Sequence, residues 1–317
     1  MFSTATVQKD GFDIIVLEDR DSKTTVEIIP SCGGILHGFI VWNKELPSNI
    51  IDHYDSKKDF EDNVSSKGFK SCKLSPFACR IKNAMYQFGG TTYQIKKFLL
   101  GDHAIHGLIY DAAFSVLQQH ANEENATVVL PYTYRGEDEG YPFHFDCIIT
   151  YQLLKNNELL ISTEIINKHP DPIPVQDGWH PYFTLGKKID ELELEFQSLE
   201  QVIFDDQLIP TGQFEPYNEF VSARQIGELF LDNCFKLNLN AAQPLCILKD
   251  PENKILLEIR PGKNYSYLQL YTPPHRQSIA IENLSAPPDA FNNGIDLIIL
   301  PPGESAFFAT SYKITTF

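Results

Sequence analysis

The sequence predicts an all-β protein, a large antiparallel β-sandwich with few short helices. Three observations carry this reading. The dominant hydrophobic period is two, the period of a strand with one buried face. Amphipathic stretches at helical spacing are scarce. The 20 prolines and 18 glycines are spread evenly and punctuate turns, with no linker-like tract among them.

The elements follow in chain order. "TTVEIIP" (24–30) is a strand rich in β-branched residues. The charged segment "DHYDSKKDFEDNVSSKGF" (52–69) is a loop or short helix. "ATVVLPYTY" (126–134) and "HFDCIITYQLL" (144–154) are strands, and the turn "KNNE" (155–158) leads into "LLISTEIIN" (159–167), a hairpin. "LCILKD" (245–250) and "KILLEIRP" (254–261), joined through "PEN", form another. "YSYLQLYTP" (265–273) and "SAFFATSYKI" (305–314) complete the set. Without an internal repeat or linker, residues 1–317 read as one sandwich domain. Two packed sheets would bury the inward faces, and loops would bring distant residues together at an open cleft.

Composition narrows the function. Hydrophobic residues make up 43% of the 317, enough for a sizeable core. The net charge of −16 repels nucleic acid and anionic membrane but not a neutral sugar. No apolar run reaches membrane-spanning length, and the N-terminal residues lack the pattern of a secretory signal. A cytoplasmic protein is expected, with reduced cysteines at 32, 72, 79, 147, 234 and 246, none in C-x-x-C spacing. No dimerisation helix is evident, so a monomer or weak homodimer is expected.

Five stretches carry candidate chemistry. In "QDGWHPYFTLG" (176–186), His180 sits among aromatic residues. It is either a packed core histidine or an imidazole whose pKa is tuned by an apolar setting. "GDHAIHGLIYD" (101–111) carries His103 and His106. Their spacing suggests a metal pair, but no third ligand is near, and a hydrogen-bonding His106 beside Gly107 is preferred. "SPFACRIKNAMYQFGGTTY" (75–93) offers Arg80 as a fork for ligand hydroxyls, with Lys70, Lys73 and Lys82 close in sequence. "AIENLSAPPDAFNNG" (280–294) places Glu282 at the end of a short apolar strand, where a carboxylate must be satisfied or functional. Asp232 in "LFLDNCFKL" reads by itself as a residue at a strand start.

Together and in this order, these stretches resemble the aldose 1-epimerase family, the galactose mutarotases. The resemblance implies the family's β-supersandwich fold and interconversion of the α and β anomers of a hexose by acid-base ring opening. It implies Glu282 as general base and His180 as general acid, with His106, Arg80 and Asp232 as substrate contacts. No cofactor or metal is implied. The chain departs from the family at Leu108, where a second glycine is common, and at Cys79, where asparagine is common. Both departures are expected to line the cleft.

Two other functions remain open on these residues. A hexose-6-phosphate 1-epimerase would need Lys70, Lys73, Lys82 and Arg276 to converge beside the ligand. A non-catalytic sugar-binding module would keep the sandwich and have lost the chemistry.

Overall fold

The computed structural model describes residues 1–43 and 46–316. Among them the strands form six antiparallel sheets, three of them large. A five-stranded sheet runs in chain order from Phe2–Lys9 to Leu46–Asn49. A nine-stranded sheet contains Asn125–Tyr134, Phe145–Leu154, Glu158–Asn167, Ser305–Thr316, Ile255–Pro261 and Cys246–Asp250 as neighbours. An eight-stranded sheet carries Ser198–Phe204, Asp232–Leu237, Tyr267–Tyr271, Ile279–Leu284, Gly178–Trp179 and Lys73–Leu74 in spatial order.

The expected hairpin is present with its cause visible. Phe145, Cys147, Ile149, Tyr151 and Leu153 alternate inward and are fully buried. They pair with Glu158–Asn167 in register from Leu154 opposite Glu158 to Phe145 opposite Asn167. Asn156 and Asn157 turn the chain at φ of 65° and 56°, a left-handed conformation that asparagine adopts more readily than most residues. Strand Cys246–Asp250 likewise pairs with Ile255–Pro261.

Two regions depart from expectation. The sequence predicts one strand among the first fifty residues, and the described residues there form five. Strand Phe2–Lys9 buries only Phe2, so it carries no hydrophobic alternation to read. Segment 52–69 contains the helix Lys57–Asn63. Ser56 caps it by accepting from the Asp59 amide at 3.1 Å, and Phe60 packs edge-on to Tyr54.

The apolar core draws on residues from Phe2 and Leu17 through Val128 and Ile149 to Ile314. A second cluster, including Tyr54, Phe69, Cys72, Ile105 and Tyr267, lies along the cleft described next. All six cysteines are free thiols and buried.

Candidate active site

The site begins with a strand that has no exposed face. Every residue of Ile279–Leu284 is buried, so alternate side chains serve two different interiors. Asn283 faces the nine-stranded sheet, where its Oδ1 accepts from the Thr310 hydroxyl at 2.8 Å. Glu282 therefore projects from the opposite face, and it sits within the strand rather than at its end.

Cross-strand pairing builds the floor around it. Glu282 lies opposite Gln269, which lies opposite Cys234, and the adjacent row is Ala280, Tyr271 and Asp232. Paired residues in an antiparallel sheet share a face. Gln269 Nε2 donates to Asp232 Oδ1 at 2.9 Å, while Gln269 Oε1 and Glu282 Oε2 are buried without a hydrogen-bond partner.

His180 arrives on the neighbouring segment. Gly178 pairs with Leu284, and Tyr182 pairs with Ala280. A Cβ at Gly178 would lie 2.6 Å from Leu284 Cδ2 and 3.1 Å from the Asn283 carbonyl, so only glycine lets the segment approach this closely. The His180 amide donates to the Cys72 carbonyl at 3.1 Å, and its own carbonyl accepts from the Ser71 amide at 2.9 Å. The ring is stacked on Tyr182, with centroids 5.1 Å apart and planes 7° from parallel, and meets His106 edge-on at 4.8 Å. Nε2 of His180 thereby lies 3.4 Å from Oε1 of Glu282.

Arg80 and His106 close the other side. Arg80 pairs with Ile105 in a small sheet, and the next residue, His106, donates its amide to the Cys79 carbonyl at 3.0 Å. Cys79 and His106 both hold left-handed backbone, at φ of 54° and 62°. Phe69 supports the His106 ring at 4.9 Å. All five residues singled out from the sequence, Glu282, His180, Arg80, His106 and Asp232, thus line one cleft of about 210 Å³.

Burial dominates the electrostatics. It pushes Glu282 well above the usual carboxylate range, reinforced by Asp232 and opposed by the Arg80 guanidinium. It pushes His180 down to about 3. It lowers His106 well below an ordinary histidine, with His180 and Arg80 adding to the effect. Asp232 is raised by burial, against Arg80 and Gln269. With Glu282 raised and His180 lowered by burial, the pair favours its neutral form, a protonated carboxyl 3.4 Å from a neutral imidazole.

Several neighbours differ from the sequence reading. His103 Nδ1 accepts from the Asn83 amide at 3.0 Å and His103 does not line the cleft, so the H-x-x-H spacing makes no metal pair. The donors that do converge are Cys79, His106 and Glu282. Gly107 approaches the Ser75 backbone rather than a ligand: a Cβ there would fall 2.4 Å from the Ser75 carbonyl oxygen. Leu108 packs in the main core, so of the two departures only Cys79 lines the cleft. Trp179 points away from His180, toward Tyr151 and the Lys73 ammonium, because alternation sends it to the opposite face. Tyr182 and Gln269 were not singled out. Tyr182 lay inside the quoted histidine stretch, whereas Gln269 carried no signal beyond its place in a strand.

The lysines and arginine that a phosphate would require lie elsewhere. Lys70 pairs with Asp52 at 2.6 Å. Lys73 is buried against Asp177, Arg276 pairs with Asp190, and Lys82 is exposed. None of the four lines the cleft, where Arg80 is the cation.

Comparison with known proteins shows the family of the chain. The family model for aldose 1-epimerase matches residues 13–313. A protein of Escherichia coli strain K12, "Uncharacterized protein YihR", is 28% identical over 243 residues, covering 73% of this chain and 74% of its own. The crystal structure of a galactose mutarotase-like protein from Clostridium acetobutylicum superimposes with a TM-score of 0.86 at 17% identity, covering 100% of this chain and 99% of that one. That of galactose 1-epimerase from Lactobacillus acidophilus NCFM gives a TM-score of 0.82 at 20% identity, with coverage of 100% and 99%.

Proposed function

The chain belongs to the aldose 1-epimerase family, a family of isomerases, and from that premise we propose that it interconverts the α and β anomers of a free hexose, with Glu282 as general base and His180 as general acid. The observation that carries this is the buried 3.4 Å approach of His180 Nε2 to Glu282 Oε1. The anomeric hydroxyl oxygen and the ring oxygen O5 are both bonded to C1. Two catalytic groups in mutual contact therefore match two substrate oxygens one carbon apart.

The reaction runs through the open chain. In the ion-pair tautomer of the singly protonated pair, the Glu282 carboxylate takes the proton from the C1 hydroxyl while the His180 imidazolium gives its Nε2 proton to O5. The C1–O5 bond breaks and the electrons of the former O–H bond form the aldehyde. Rotation about C1–C2 presents the other carbonyl face. Closure returns both protons and leaves the opposite anomer. Each properly placed group is worth roughly 10² to 10⁴-fold in rate. Glu282 sits within strand Ile279–Leu284 and His180 in the short link between Gly178–Trp179 and Tyr182–Phe183, so the fold itself orients both groups.

The remaining residues supply contacts. Arg80, His106 and Asp232 donate to or accept from the sugar hydroxyls, and Arg80 holds Glu282 nearer to ionisation. The unpartnered Glu282 Oε2 and Gln269 Oε1 are acceptors that hydroxyls would satisfy. Residues 1–317 are read as one domain, since the buried apolar cluster draws on both ends of the chain.

The deciding experiment is polarimetry on freshly dissolved α-galactose and α-glucose, with wild type beside Glu282→Gln and His180→Asn. Faster decay to the equilibrium rotation that both substitutions abolish supports the reading. Absence of acceleration with either sugar and with hexose 6-phosphates, while sugar still binds, turns it toward a binding module. A phosphorylated substrate is disfavoured because Lys70, Lys73, Lys82 and Arg276 do not reach the cleft.

A further inference from the structure

The cleft also holds a donor set that the ring-opening chemistry does not use as a set. One ligand atom each from Cys79, His106 and Glu282 lies within 4.8 Å of the other two, and all three residues are buried. Sulfur, imidazole nitrogen and carboxylate oxygen together are a donor mixture suited to zinc-class divalent cations. Tetrahedral zinc with metal–ligand distances of about 2.0–2.3 Å draws its donors to roughly 3.3–3.8 Å of one another, so a closure of roughly 1–1.5 Å brings the three donors to ligand distance.

Two independent features favour a ligand here. Glu282 Oε2 and His106 Nδ1 are buried without hydrogen-bond partners, at residues only 2% and 7% exposed. The backbone that carries two of the donors is preset. Cys79 and His106 are both in the left-handed region, and the His106 amide is bonded to the Cys79 carbonyl. A cysteine held at φ of 54° costs energy that the surrounding packing supplies, so the thiol is aimed by the fold. Charge works in both directions. The Arg80 guanidinium opposes a cation. Asp232 and the thiolate formed on binding favour one.

We infer that Cys79, His106 and Glu282 form a site for a thiophilic divalent cation of the zinc class, which excludes sugar by occupying the catalytic base. Binding transfers the Cys79 S–H proton to solvent and forms a metal–sulfur bond, leaving a fourth position open to the cleft. The consequence for turnover rests on the epimerase reading; the binding itself does not.

The test uses the full chain, freed of metal by chelation. Titration with zinc chloride is expected to show one equivalent bound, with proton release and competition from galactose. Cobalt(II) is expected to give a thiolate-to-metal charge-transfer absorption in the near ultraviolet. Cys79→Ser should abolish that band and weaken zinc at least about tenfold, since even outer partners of metal ligands are worth that much. His103→Ala should leave both unchanged. A cobalt complex of wild type without the charge-transfer band overturns the site whatever the variants do. So do the absence of stoichiometric binding and zinc affinity unchanged by Cys79→Ser. Because these readouts need no turnover, a protein that binds cobalt through sulfur yet fails to speed mutarotation would refute the proposed function and leave the metal site standing.

Discussion

Lys73 and Asp177 form an ion pair in which neither side chain has any exposure to solvent. The Lys73 ammonium also donates to the Gly178 carbonyl at 3.1 Å, and Asp177 Oδ1 accepts from the Tyr265 hydroxyl at 2.6 Å. The Asp177 amide and carbonyl are both bonded to Ser285, at 2.9 Å each. The pair thus clamps the segment that ends in His180 to strand Lys73–Leu74, while the Asp177 backbone holds it to Ser285, just past the strand that carries Glu282.

Breaking this clamp from one side should be costly. Lys73→Met leaves a buried carboxylate without its cation, a loss of about 3–5 kcal/mol. Urea unfolding would report it as a lower midpoint. Lys73→Met combined with Asp177→Leu should recover part of the loss, because no charge is then left stranded. Equal destabilisation in the single and double variants would contradict the ion-pair account.

On the proposed assignment, the Glu282–His180 pair sets the pH profile. Maximal activity then requires one proton on the pair. As pH falls through the His180 value, a second proton neutralises the base. As pH rises through the Glu282 value, the last proton leaves and the acid is lost. Burial moves the first value below the ordinary 6.5 and the second above the ordinary 4.5. The plot of kcat/KM should therefore be a bell with its acid limb displaced below 6.5. An acid limb centred on an ordinary imidazole would contradict the pairing.

Removing either proposed catalytic group, Glu282 or His180, should cost roughly 10² to 10⁴-fold in kcat. Glu282→Gln with His180→Asn should lose much less than the product of the two single losses, because each group works only with the other. Stopped-flow polarimetry on all three variants checks this. Multiplicative losses would mean the two residues act in separate steps.

Arg80 is the cation that opposes burial at Glu282. Arg80→Met should lower kcat/KM and move the basic limb of the profile further up, since the carboxyl then holds its proton more tightly. A variant that raises KM alone and leaves the limb in place would assign Arg80 to sugar contact only.

Proton transfer between protein groups and sugar needs no metal, so activity should survive exhaustive chelation. If trace zinc occupies the cleft, chelation should raise activity. A loss that added metal restores would overturn the assignment of Glu282 as a free base.

Much of this protein was legible in the amino-acid sequence. Period-two alternation in segments such as Phe145–Leu154 follows from strand geometry alone, so the β class could be read directly. Glu282, His180, Arg80, His106 and Asp232 stood in recognisable local stretches and do meet in one cleft. Tertiary structure decided the rest, because strand register and face assignment come from long-range pairing. Register put Gln269 beside Glu282 and sent Trp179 away from His180. It drew Lys73 into the interior and left Lys82 in solvent, though both looked alike as basic residues near Arg80. Loop backbone, left-handed at Cys79, turned that thiol into the cleft while Leu108 went to the core. A side chain's type is local information. The face it occupies and the groups it meets depend on partners far along the chain, and only the packed fold brings those together.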